Sequence, residues 1–161
     1  NCLTGFWQQR HIARSVWQIY AQLEREIRSR RTYILAIDDI RNCFPTAPLD
    51  EVMRWQRHHI HHRKLLNLVE RIIRGHEDPG RMIGLDQGSP YSPIAMDVLL
   101  HHVLDLQLEA RSGSPLQLRY VDNLTYLCGS VSEAASVLSI AKELVEQAGF
   151  QLKGEDGEPL D

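Results

Sequence analysis

The sequence predicts an α+β domain built on a ferredoxin-like β-α-β-β-α-β sheet with its helices on one face. Three observations point there. The run TYILAID (Thr32–Asp38) is too short and too apolar for anything but a buried strand. In LRYVDNLTYL (Leu118–Leu127), two β-favouring runs meet at an Asp-Asn pair, which is ordinary turn chemistry and reads as a hairpin. Helical patterns flank both, giving the order strand, helices, hairpin, helix, strand. At 161 residues and 18.5 kDa the chain suffices for one domain with a real core.

Each element has its own signal. Ile12, Val16, Ile19, Tyr20, Leu23 and Ile27 recur at helical spacing, so residues 11–30 read as an amphipathic helix. The strand follows, PTAP breaks the chain, and one long helical pattern runs from about Leu49 to Arg74. GHEDPGRMIGLDQGSP is loop-like, with a short strand at Arg81–Leu85. Ser92-Pro93 predicts a helix start, serine as cap and proline at the first position, reaching about Ala110. The hairpin spans Gln117–Cys128. Ser130 or Ser132 caps a helix over 133–148, and Gly149 sits where a terminating glycine belongs. FQLK (Phe150–Lys153) reads as a last strand, followed by an acidic, unstructured tail.

Bulk properties narrow the function classes. No apolar run approaches the roughly 20 residues needed to span a bilayer, and the first residues are not a signal peptide. Cys2, Cys43 and Cys128 suggest neither a disulfide framework nor a cysteine-rich zinc site, so a reduced, cytoplasmic setting is expected. Residues 1–81 carry 14 Lys and Arg against 9 Asp and Glu, and the remainder 4 against 12. The basic half can face a polyanion or simply be solvated. The chain opens at Asn1 in mid-pattern, which reads as part of a larger protein. In RHHIHHRK, His58 and His62 have a zinc-compatible i, i+4 spacing on the predicted helix, but no third ligand is evident. Arg54, Arg57, Arg63 and Lys64 there could contact nucleic-acid phosphates. His101 and His102 read as helix-interface histidines.

The predicted topology brings Asp38 and Asp39, at the end of the first strand, close to Asp122 at the hairpin tip. Converging carboxylates repel unless a cation sits between them. Hard ions such as Mg²⁺ accept carboxylate oxygens, and a pair about 4 Å apart suits phosphoryl transfer. On spacing alone the alternative stands: Asp39 caps the next segment and Asp122 makes an Asx turn.

Four segments in order resemble one family, the reverse transcriptases. AIDDIRNCFPTAPLDEVM (Ala36–Met53) resembles the first catalytic motif, an Asp followed by an aliphatic residue and, five positions on, an aromatic. GLDQGSPYSPIAMDVLLHHVLD (Gly84–Asp105) resembles the second, Gln-Gly-x-x-x-Ser-Pro opening a helix. LRYVDNLTYLC (Leu118–Cys128) is similar to the third, Tyr-x-Asp-Asp in a hairpin, and AKELVEQAGFQLKGEDG (Ala141–Gly157) to the fourth. The match is nearest to bacterial enzymes of the group II intron and retron kind.

The resemblance implies a polymerase palm over residues 32–157, a helical part of the fingers over 1–31, and a tail at 158–161. It implies RNA-directed DNA synthesis with two Mg²⁺ ions (or Mn²⁺), acting on an RNA template, a DNA primer and dNTPs. Asp39 and Asp122 match the metal-bridging carboxylates, Asn123 completes the catalytic turn, and the Ile40 carbonyl matches a further ligand. Phe44 matches the aromatic that excludes a 2′-hydroxyl. Gln87 and Gly88 match the loop lying against template and nascent pair, and Tyr120 lies near the primer end. Lys153 falls roughly where the family has a lysine proposed as proton donor to pyrophosphate.

The departures are also specific. The third motif ends Asp-Asn where Asp-Asp is usual, and a neutral amide is a poorer ligand for a hard cation. Asp86 replaces the usual proline, and Asp38 should point to the opposite sheet face from Asp39. The basic fingers segment and the thumb have no counterpart, so little polymerase activity is expected from the isolated chain. A polymerase-like scaffold that binds RNA or protein without polymerising is the alternative.

Overall fold

The structure, a computed structural model, describes residues 3–4, 12–29, 33–75, 78 and 80–156. Cys2, Trp7 and the tail from residue 157 lie outside them. In chain order the elements are β1 (Leu3–Thr4), α1 (Ile12–Ser29), β2 (Ile34–Asp39), α2 (Cys43–Thr46), α3 (Leu49–His59), α4 (Arg63–Arg74) and α5 (Ser92–Leu100). A π-helical segment, His101–Asp105, joins α5 to α6 (Leu106–Glu109). Then come β3 (Leu116–Tyr120), β4 (Asn123–Cys128), α7 (Val131–Gln147) and a 3₁₀ turn, Lys153–Asp156.

The sheet order is β1-β3-β4-β2, with β1 parallel to β3 and the other pairs antiparallel. The central hairpin therefore lies beside the first strand, as the ferredoxin-like plan requires. Period-two alternation splits the sheet into two faces. Ala36, Leu124 and Tyr126 turn inward to the core that α5 and α7 cover, while Leu35 and Ile37, each 47% exposed, turn outward. Helix α7 buries Ala134, Val137, Ala141 and Val145 at helical spacing. Its start is fixed by Ser130, whose hydroxyl accepts from Glu133 N at 3.1 Å, and its end by Gly149 at φ 90°.

Four expectations are corrected. The long helix over 49–74 is two helices: Ile60 turns extended, and His62 caps α4 by accepting from Leu65 N at 3.2 Å. His58 and His62 thus do not share a helix, and the zinc spacing is lost. Arg81–Leu85 forms no strand, only a bridge from Ile83 to Pro48. Phe150–Lys153 is likewise reduced to one bridge, Leu152 to Ile40, on the outer edge of β2. Ser92 is not the cap of α5 but its first residue; Tyr91 precedes it, and the Ser92 hydroxyl donates to Asp86 O at 2.7 Å.

Candidate active site at a strand-hairpin corner

β2 ends at Asp39, and the register sets Asp39 directly across from Asn123, which in turn faces Tyr120 on β3. Val121 and Asp122 form the two-residue turn of the hairpin. Val121 has φ 56°, a conformation normally left to glycine and costly for a β-branched side chain. Two hydrogen bonds hold this turn: Arg119 Nη1 donates to Val121 O at 3.0 Å, and Ile40 N donates to Asp122 O at 3.1 Å. The second bond joins the turn to the residue after Asp39.

The corner is electrostatically unsettled. Burial first, and then the charge of Asp39, raise the Asp122 carboxyl above the ordinary carboxylate range. The Cys43 thiol is pushed up by burial and then by Asp122, so the negative potential reaches beneath the sheet. Asp39 Oδ2 pairs with Lys153 Nζ at 2.8 Å. Asp39 Oδ1 is buried with no hydrogen-bond partner among the described residues. An orphaned carboxylate oxygen beside a second, destabilised carboxylate fits a hard divalent cation.

Lys153 reaches Asp39 because Asp38 holds the chain beside it. Asp38 points to the opposite face, where its Oδ1 accepts from Asp39 N at 2.8 Å and from Gly154 N at 3.1 Å. A Cβ on Gly154 would stand 3.0 Å from Asp38 Oδ2, so a larger residue there would press on that carboxylate.

Phe44 is half-buried against the core, and its carbonyl accepts from Leu85 N at 2.8 Å. Gln87 and Gly88 follow in an exposed turn. Gly88 is exposed at φ 92° with open space where a Cβ would stand, so it serves turn geometry. Asp86 is paired, its Oδ1 with Arg81 Nη1 at 2.5 Å. Tyr120 is 78% exposed on the open face beside Asn123.

Among the described residues no three His, Cys, Asp or Glu side chains converge as a metal site of that kind. The histidines instead build a helix interface: His102 stacks on Trp55 at 4.0 Å, and its Nε2 lies 2.6 Å from His59 Nε2. Burial, then the neighbouring His59, push His102 down to about 4.

Sequence reasoning missed one group at the site. Arg119 is buried and paired with Asp97 Oδ1 at 2.9 Å and Asp105 Oδ2 at 2.7 Å. The signal was present: β3 alternation puts Arg119 inward, and two acids interrupt the otherwise apolar α5 and π segment.

A ferredoxin-like sheet with paired carboxylates at a strand-hairpin corner is the palm architecture of nucleic-acid polymerases. The family model described as reverse transcriptase (RNA-dependent DNA polymerase) matches residues 3–155, and the chain belongs to that family. Among solved structures it is similar to apo telomerase from Candida tropicalis truncated from its C-terminal domain, with TM-score 0.62 and 12% identity. That likeness covers 92% of this chain and 34% of the telomerase chain, so the chain spans about a third of that protein. No curated protein matches it.

Proposed function

We propose that this chain is the catalytic palm of an RNA-directed DNA polymerase of the bacterial group II intron or retron kind. The observation that carries the reading is the corner where Asp122 lies against Asp39, whose Oδ1 is buried without a partner. Asp39 and Asp122 would hold two Mg²⁺ ions, with the Ile40 carbonyl as a further ligand. When bound, those ions neutralise charge at the attacking and leaving oxygens of an in-line displacement.

The primer 3′-oxygen attacks the α-phosphorus of a dNTP, forming one P–O bond as the bond to pyrophosphate breaks. Phe44 bars a ribose 2′-hydroxyl, the Gln87-Gly88 turn lies along the template and nascent pair, and Tyr120 lies beside the primer end. Lys153, already at 2.8 Å from Asp39, is the candidate proton donor to the departing pyrophosphate. RNA template, DNA primer and dNTPs are the partners, with fingers and thumb supplied by flanking polypeptide; alone, the 161-residue chain extends primers poorly. Cys43 and Cys128 are buried free thiols, which suits a reducing cytoplasm. No helix among the described residues is long and apolar enough to cross a membrane.

A second reading, a polymerase-like RNA or protein scaffold, is favoured by one observation: the amide of Asn123 where a second carboxylate is usual. Primer extension on an RNA template by the polymerase that carries this chain separates the two. Extension that Asp122→Ala abolishes supports the enzyme, and equal inactivity of both proteins supports the scaffold.

A further inference from the structure

We propose that Arg119, clamped by Asp97 and Asp105 beneath the sheet, is the positioning residue that aims Asp122. The inference rests on the reading of Asp122 as a metal-holding carboxylate. The direction of a side chain is set by the two peptide planes that flank its Cα. For Asp122 both planes are pinned. Arg119 Nη1 holds the Val121 carbonyl at 3.0 Å, and Ile40 N holds the Asp122 carbonyl at 3.1 Å. The first bond adds to hairpin closure in holding Val121 at φ 56°.

Arg119 can serve as a fixed anchor because its other nitrogens are saturated from behind. Nε donates to Asp105 Oδ1 at 2.9 Å and Nη2 to Asp105 Oδ2 at 2.7 Å, a two-point fork that fixes the guanidinium plane. Nη2 also meets Asp97 Oδ1 at 2.9 Å. On the same inward face, Gln117 Nε2 donates to Asp105 O at 3.2 Å, stitching β3 to the π segment a second time.

The π segment is what lets two acids eight positions apart share one guanidinium. In a regular α-helix, eight residues overshoot two turns by about 80°. The wider winding of His101–Asp105 absorbs one residue and cuts that to about 20°. Both acids then face β3. His101 Nδ1 stands 3.6 Å from Asp105 Oδ2 and, when protonated, balances the second acid.

The test uses the 161-residue chain with Arg119→Lys, which keeps a charge but loses the planar fork, and Asp105→Asn, which loosens the clamp while leaving Arg119 intact. Amide hydrogen exchange is read on peptides spanning 118–127 and 131–147, and Mn²⁺ binding by electron paramagnetic resonance. The expected result is exchange at 118–127 rising about tenfold more than at 131–147, with Mn²⁺ affinity about tenfold weaker. Exchange at 118–127 that stays at wild-type rates, or rises only in step with 131–147 in both variants, overturns the positioning role. If Asp122→Ala leaves Mn²⁺ binding at the wild-type level, it is the metal reading that falls, and the exchange result still judges the turn.

Discussion

Two pairs of aspartates lie on opposite faces of one sheet and have been given opposite settlements. Asp97 and Asp105 share Arg119, a fixed internal cation whose fork is fully spent on them and on the turn. Asp39 Oδ2 meets Lys153, Asp122 Oδ1 accepts a long bond from Asn123 Nδ2 at 3.4 Å, and Asp39 Oδ1 has no partner among the described residues. For Asp105, burial raises the carboxyl but contacts with His101 and Arg119 outweigh it, leaving it below the ordinary range. Asp122 sits above it, and so does the inner Asp97, which burial raises and whose Oδ2 also lacks a hydrogen-bond partner among the described residues. What separates the pairs is the cation: both inner acids touch one buried guanidinium, whereas the outer pair meets a partly exposed lysine on one member and has room for something exchangeable.

The comparison can be broken at its strongest point first. Asp105→Ala leaves Arg119 buried with half its clamp and should cost about 3–5 kcal/mol in urea denaturation. A loss below about 1 kcal/mol would mean the inner pair is not the structural one. On the outer pair, Asp122→Ala should lower primer extension by the complete polymerase at least about a hundredfold, beyond the range seen when only supporting groups of a metal site are removed.

Acidification sharpens the contrast because the two shifts have opposite signs. The folded state binds the Asp122 proton more tightly than the unfolded state does. Ionised Asp122 therefore costs stability at neutral pH, and the cost fades as pH falls through its raised pKa. Metal-free Asp122→Asn should be more stable than wild type at pH 7, by about 1 kcal/mol or less after solvent screening, and equal to it once Asp122 is protonated. Asp105→Asn should run the other way: its penalty is full at pH 7 and disappears only below the lowered pKa of Asp105. Denaturation curves across pH check both signs.

Smaller still are the edits to the outer pair's surroundings. Asn123→Asp adds a carboxylate directly across from Asp39 and should tighten Mn²⁺ on the order of tenfold. Lys153→Met removes a partly exposed pair, so it should cost under about 1 kcal/mol without metal. The same change should tighten Mn²⁺, since Lys153 competes for Asp39; weaker binding would show that Lys153 helps to build the site.

Much of the fold was written locally. The hairpin, α7 with its Ser130 cap and Gly149 stop, and the strand ending at Asp39 each depend on neighbours in sequence. The break at Ile60–His62 was not, because His and Ile are only weakly unfavourable in a helix; what accompanies the turn is the packing of His59 and Trp55 on His102 more than forty positions away. The last strand shrank to a bridge because the chain winds into the 3₁₀ turn Lys153–Asp156 directly after Leu152, where Gly154 N donates to Asp38. At the corner, the approach of Asp122 to Asp39 was legible from the predicted strand order, while spacing alone left their role open. Arg119 was hidden because its partners lie 14 and 22 positions back, on a helix whose winding no composition signals.

That winding also warns the protein engineer. A designer seeking a sturdier fold would look at His101–Asp105, see an irregular coil in a buried helix, and rewind it to the ideal α pitch without changing its length. The rewound helix would be straighter and better bonded along its own axis. It would also swing Asp105 by about a quarter of a circle away from β3. The irregularity is the gear tooth that keeps helix and hairpin in mesh, and polishing it away would leave a stiffer part in a machine that no longer turns.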